Sequence, residues 1–128
     1  MPLRYAVQVN SVSSIMLNKI DILSGLDEIK VCTGYRVDGR LVDEWPLSAA
    51  QLERAEPVYS SFEGWREDIS GCRALVALPA AARRYIAAIE ERAGAPIDVI
   101  SVGPERNQTL MVDGSRFSAM RARAGAVA

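Results

Sequence analysis

An amide, an ammonium and a carboxylate stand within four residues at Asn18-Lys19-Ile20-Asp21, directly after the apolar run Ile15-Met16-Leu17. A carboxylate accepts two neighbouring donors at once, and a lysine carries its charge on a long apolar stem. The Ile- and Leu-rich stretch predicts a buried strand from Ile15 to Ile20. Charged side chains at the carboxyl end of such a strand stand where open α/β sheets bind ligands. The same pattern also arises at strand exits whose charges are merely solvated, so the tetrapeptide needs support from elsewhere in the chain. A second apolar run, Ile97 to Val102, ends in a comparable opening, the loop Ser101-Val102-Gly103-Pro104.

The residues that are missing narrow the chemistry further. The 128 residues include no histidine, so the commonest general base and metal ligand is absent. Cys32 and Cys72 are the only cysteines and are far apart, which predicts free, buried thiols in a reducing compartment and no metal site. A net charge of −1 gives no basic excess for a nucleic-acid surface, although a local site for one nucleotide is compatible with it. With 49% hydrophobic and 24% charged residues, the composition is that of an ordinary globular domain with a modest core. No membrane-length apolar run or signal peptide is visible, so a cytoplasmic location is expected.

The elements that must position these residues are legible in outline. Residues 2–11 carry apolar side chains at helical spacing and read as a short helix that begins as though cut into an existing element. Gly25 bends the chain after Asp21. Glu28 to Val37 alternates, which puts Ile29, Val31, Thr33, Tyr35 and Val37 on one face and Lys30, Cys32, Gly34 and Arg36 on the other. Asp38-Gly39 is a hairpin turn. The return strand Leu41 to Trp45 sets Tyr35 opposite Val42 and Cys32 opposite Trp45, and Pro46 ends the ladder. Ser48 caps a short helix through Glu53. Pro57 to Tyr59 reads as a short extended piece, and Trp65 as an anchor packing down the polar loop from Gly64 to Gly71. The clearest helix runs from Pro79 to Ala93 and stops at Gly94; Leu78, Ala82, Tyr85, Ile86, Ile89 and Ala93 form its apolar stripe. Its charges, Arg83, Arg84, Glu90, Glu91 and Arg92, read as a solvated face. Gln108 to Val112 predicts a last strand, and residues 113–128 a disordered, mildly basic tail.

Three blocks in this order resemble the C-terminal part of adenylosuccinate synthetase: Leu17-Asn18-Lys19-Ile20-Asp21-Ile22-Leu23-Ser24-Gly25-Leu26, Glu56-Pro57-Val58-Tyr59 with Gly64-Trp65, and Ile100-Ser101-Val102-Gly103-Pro104-Glu105-Arg106. The likeness covers about Arg4 to Val112. It implies an incomplete domain over residues 1–112 of α/β class: part of a P-loop-NTPase-like, largely parallel sheet with flanking helices and an added antiparallel hairpin. Asn-Lys-x-Asp is also the order in which GTP-binding proteins present a guanine-reading set. The resemblance implies guanine contacts at Lys19, Ile20, Asp21, Ser101, Val102, Gly103 and Pro104, with Gly103 allowing close approach to the base. The family commonly has Thr where this chain has Asn18, whose expected role is to tie the loop together.

The family joins IMP and L-aspartate, driven by GTP with Mg²⁺, and works as a homodimer. Its phosphate loop, catalytic Asp and His, metal ligands and most IMP contacts belong to an N-terminal portion with no counterpart here; the nine glycines are scattered and form no phosphate loop. The expectation is therefore a guanine-recognising segment with no catalytic and no metal-binding residue of its own, inactive alone, whose partners are GTP and the N-terminal portion, and which binds neither nucleic acid nor membrane. A stand-alone guanine-nucleotide module and a non-functional relic are the alternatives.

Overall fold

The computed structural model describes residues 2–42, 45, 47–116 and 118–120. In chain order the elements are α1 (Pro2–Val9), β1 (Ile15–Leu17), a 3₁₀ turn (Ile20–Leu23), β2 (Glu28–Val37), β3 (Arg40–Val42), α2 (Ala49–Leu52), β4 (Ala55–Glu63), a second 3₁₀ turn (Leu75–Ala77), α3 (Ala80–Ala93), β5 (Ile97–Ser101) and β6 (Thr109–Met111).

Two three-stranded sheets result, ordered β1-β5-β6 and β3-β2-β4. The α/β class is as expected, but the sheet is not largely parallel: among the described residues only β1 and β5 pair in parallel, while β5–β6, β2–β3 and β2–β4 are antiparallel. The anticipated hairpin is two strands of a larger sheet, because Pro57 to Tyr59 belongs to the nine-residue β4 that pairs along the whole of β2. Pro57 lacks an amide proton but sits on the free edge of this sheet, where proline is tolerated.

β1 is shorter than the sequence predicts. Lys19 adopts the left-handed conformation (φ 60, ψ 39), which turns the chain out of the strand direction and starts the 3₁₀ turn. The strict alternation expected along β2 also fails midway. Cys32 pairs with Tyr59 and Gly34 with Val58, so Thr33 is an extra, bulged residue. A bulge shifts all later side chains to the opposite face. Tyr35 and Val37 therefore share the face of Lys30 and Cys32, and Gly34 joins Ile29 and Val31. The hairpin keeps its predicted register, with Tyr35 opposite Val42 and both Asp38 (φ 49) and Gly39 (φ 80) at positive φ. Among the described residues the ladder ends at the Tyr35–Val42 pair, short of Trp45, whose ring lies 5.6 Å from that of Tyr35. Residues 43, 44 and 46, including the predicted stop at Pro46, lie outside the described residues.

α3 matches its prediction. Pro79 stands at its N-cap position and Gly94 ends it in the left-handed conformation (φ 74). Its apolar stripe meets β5 and the Ile29–Phe62 face of the antiparallel sheet, so one core joins both sheets around Ile20, Ile86, Ile97, Ile100, Val102 and Leu110. Each fully buried isoleucine or leucine contributes about 2–3 kcal/mol of apolar transfer energy. Tyr85 packs against Phe62 and Trp65, with ring centroids 6.2 and 6.1 Å away. The charged face is more than solvated: Glu90 accepts the Ile97 N–H at 2.7 Å, Arg84 pairs with Glu63, and the Arg92 guanidinium lies 5.5 Å over Phe62. α1 closes a smaller cluster, Val7 packing on Ala93 and Ala95.

Ser48 and Gln51 form a capping box on α2. The Arg54 guanidinium grips both oxygens of Asp38 at 3.0 and 3.2 Å, and holds that carboxyl below the usual aspartate range. Cys32 and Cys72 are free and half-buried rather than buried. Beyond β6, Ser115 is buried and its hydroxyl accepts the Ser118 N–H at 3.1 Å; residues 117 and 121–128 of the expected tail lie outside the described residues. Among the described residues, no helix is long and apolar enough to cross a membrane.

Candidate functional site

The parallel pairing of β1 with β5 brings the two sequence candidates together. Leu17 lies opposite Ile100, so both strands end at the same level and release Asn18-Lys19-Ile20-Asp21 and Ser101-Val102-Gly103-Pro104 side by side. Each loop is riveted into the common core by one apolar residue. Ile20 is 1% exposed and Val102 0% exposed, which fixes their polar neighbours at the sheet's end.

Around these rivets the polar groups differ in their partners. Lys19 is exposed. A non-glycine residue in the left-handed region costs on the order of 1–3 kcal/mol, a strain found most often at binding sites. Asp21 is half-buried, and its Oδ1 is sealed from solvent with no hydrogen-bond partner. A buried carboxylate oxygen without a donor costs the desolvation energy of the group, so it fits a ligand that supplies N–H groups. Asp98 Oδ2 at the β5 bulge is the other such atom among the described residues. Asn18 is exposed and makes no side-chain hydrogen bond among the described residues, so it does not tie the loop as expected.

The second loop is bound internally. The Ser101 hydroxyl donates to the Gly103 carbonyl at 2.9 Å. The Val102 N–H donates to the Gln108 carbonyl at 2.8 Å. The Gln108 N–H donates to the Glu105 carbonyl at 2.9 Å, and the Glu105 N–H donates back to Gln108 Oε1 at 3.0 Å. A Cβ at Gly103 would come within 2.5 Å of Gln108 Cδ and 2.9 Å of Nε2, so the Gln108 side chain packs directly against the glycine.

A brace behind the first loop was only half legible. Trp65 is buried, as its reading as an anchor requires, and its Nε1–H donates to Ser24 Oγ at 3.0 Å. The Gly25 N–H donates to the Trp65 carbonyl, and the Gly64 N–H to the Asp27 carbonyl. A Cβ on Gly64 would fall 2.7 Å from the Leu26 carbonyl carbon and closer still to its oxygen. Gly64-Trp65 thus clamps the segment that leaves Asp21. Gln108 carried no sequence signal beyond being the polar first residue of the predicted last strand.

A sequence profile described as adenylosuccinate synthetase matches residues 1–110. The chain belongs to the adenylosuccinate synthetase family. It is 47% identical over 110 residues to the adenylosuccinate synthetase of Burkholderia mallei (strain SAVP1), covering 86% of this chain and 25% of that protein. The synthetase of Paraburkholderia xenovorans (strain LB400) is 46% identical over the same length. The fully ligated adenylosuccinate synthetase of Plasmodium falciparum superposes with a TM-score of 0.79 at 40% identity, over 84% of this chain and 26% of its own. The chain therefore spans about a quarter of the length of the adenylosuccinate synthetases it matches. Among the described residues, no three His, Cys, Asp or Glu side chains gather as they would around a metal ion.

Proposed function

We propose that this chain is the guanine-recognising quarter of a ligase that uses GTP to join IMP and L-aspartate into adenylosuccinate. The observation that supports this is the donorless Oδ1 of Asp21, beside a second loop at the shared end of two parallel strands. Guanine offers two adjacent donors, N1–H and N2–H₂, and one carboxylate accepts both in a charge-assisted pair. Adenine has neither group and would leave Asp21 buried and unpaired; sites built this way reject the deficient analogue by roughly 10⁴–10⁵. Lys19 lays its stem along the purine face. Ile20 and Val102 hold the two loops, and Ser101, Gly103 and Pro104 shape the side facing the 6-oxygen.

GTP, when bound, supplies the phosphoryl group that activates IMP; the residues of this chain hold and select its base. One carboxylate committed to the base does not fit a Mg²⁺ site. In this reading the metal, IMP and aspartate contacts and the catalytic groups belong to the remaining portion of the family's length. With that portion, the β1–β5 pair is part of a P-loop-NTPase-like sheet. The assembled enzyme works as a cytoplasmic homodimer. The chain alone binds nucleotide weakly, because the phosphates carry much of the affinity and all of the chemistry.

The test assembles this chain with the preceding three-quarters of a related synthetase. The assembly should form adenylosuccinate with GTP and not with ATP. Asp21→Asn should lower kcat/KM for GTP by a factor on the order of 10² and raise use of xanthosine triphosphate, whose 2-oxo group accepts from the new amide. An unchanged preference for GTP would remove Asp21 from the base site.

A further inference from the structure

We propose that Gln108 is a positioning residue for nucleotide recognition, holding the Ser101–Glu105 loop in the shape it presents to the base; this rests on the guanine reading above. One residue ties both ends of the loop. Its carbonyl accepts from Val102 N–H at 2.8 Å, and its amide oxygen accepts from Glu105 N–H at 3.0 Å. Its own N–H returns to the Glu105 carbonyl at 2.9 Å. The side chain then lies against Gly103 Cα, in the space a Cβ would occupy. Apart from these contacts, the loop is held by the buried Val102 side chain, by the pairing of Ser101 with Thr109 and by the Ser101 hydroxyl bond to the Gly103 carbonyl. Pro104, Glu105, Arg106 and Asn107 are exposed, so burial does not fix them. The backbone bonds of Gln108 survive any substitution. The bond to Glu105 N–H and the wedge against Gly103 belong to the side chain alone.

This separates two roles that are usually confounded. Gln108 is half-buried and outside the shared core, so its side chain is not a core support. A positioning role affects one substrate, and a merely structural role affects all of them.

The experiment uses this chain assembled with the preceding three-quarters of a related synthetase, with GTP, IMP and L-aspartate varied in turn. Gln108→Ala should raise KM for GTP about tenfold, with kcat and the KM values for IMP and aspartate within about twofold of wild type. Gln108→Leu keeps bulk without the acceptor and should behave like alanine; Gln108→Glu keeps the acceptor and should restore KM for GTP. Gly103→Ala should also raise KM for GTP, but should add little in the Gln108→Ala background, because the group it collides with has gone. Equal losses for all three substrates, an unchanged KM for GTP in Gln108→Leu, or additive effects of Gly103→Ala and Gln108→Ala would each overturn the role of Gln108 while leaving the guanine reading intact. A wild-type assembly that shows no preference for GTP would overturn both.

Discussion

Asp21 and Tyr85 show two opposite uses of a half-buried polar group. Asp21 keeps one buried oxygen without a hydrogen-bond partner among the described residues, which costs desolvation energy. Tyr85 shows a pKa raised by burial between Phe62 and Trp65. Its folded value lies above the roughly 10 of an unfolded tyrosine, so the folded chain holds that proton more tightly. The stability it contributes is intact below pH about 10 and is lost as pH rises through the folded value. Urea titrations between pH 8 and 11 should show stability falling on the alkaline side, and Tyr85→Phe should flatten that fall. Tyr35, raised by burial first and by its bond with Cys32 second, keeps part of the slope. An identical alkaline profile for Tyr85→Phe would show that the ring is not buried as described.

Among the elements, legibility followed the locality of the forces. α3 and the Asp38-Gly39 turn were readable because their determinants lie within a few residues: a proline start, a glycine stop, and two residues that accept positive φ. The bulge at Thr33 was not readable, because it is set by pairing with β4, whose strand character was itself hidden by Glu56, Pro57 and two serines. At the candidate site, both loops could be named from sequence, but the left-handed Lys19 and the Gln108 wedge arise from contacts that no spacing rule encodes. Gly64 belongs to the same class. Gly64→Ala drives a methyl group into the Leu26 backbone, which cannot rotate away as a side chain would. A loss of about 3 kcal/mol, the upper end of overpacking costs, is expected in denaturant titration. A change below about 0.5 kcal/mol would mean the clamp yields freely.

The molecule as a whole is two small sheets sharing one core, with β5 at the centre of the sheet that carries the site. Removing Ile100, which is fully buried there, should cost about 2–5 kcal/mol in Ile100→Ala. Because the core is common, the loss should appear as one cooperative transition, seen at the same midpoint by far-UV circular dichroism and by tryptophan fluorescence. Separate midpoints would mean that the sheets unfold independently. The β1–β5 pairing also has a consequence for synthesis. Ile15 waits for a partner at Ile97, about eighty residues downstream, and chains grow at roughly 5–20 residues per second. For several seconds of every round of translation, one half of the candidate site exists without the other. Its hydrogen-bonding edge is then open to a chaperone, or to the same strand on a neighbouring nascent chain.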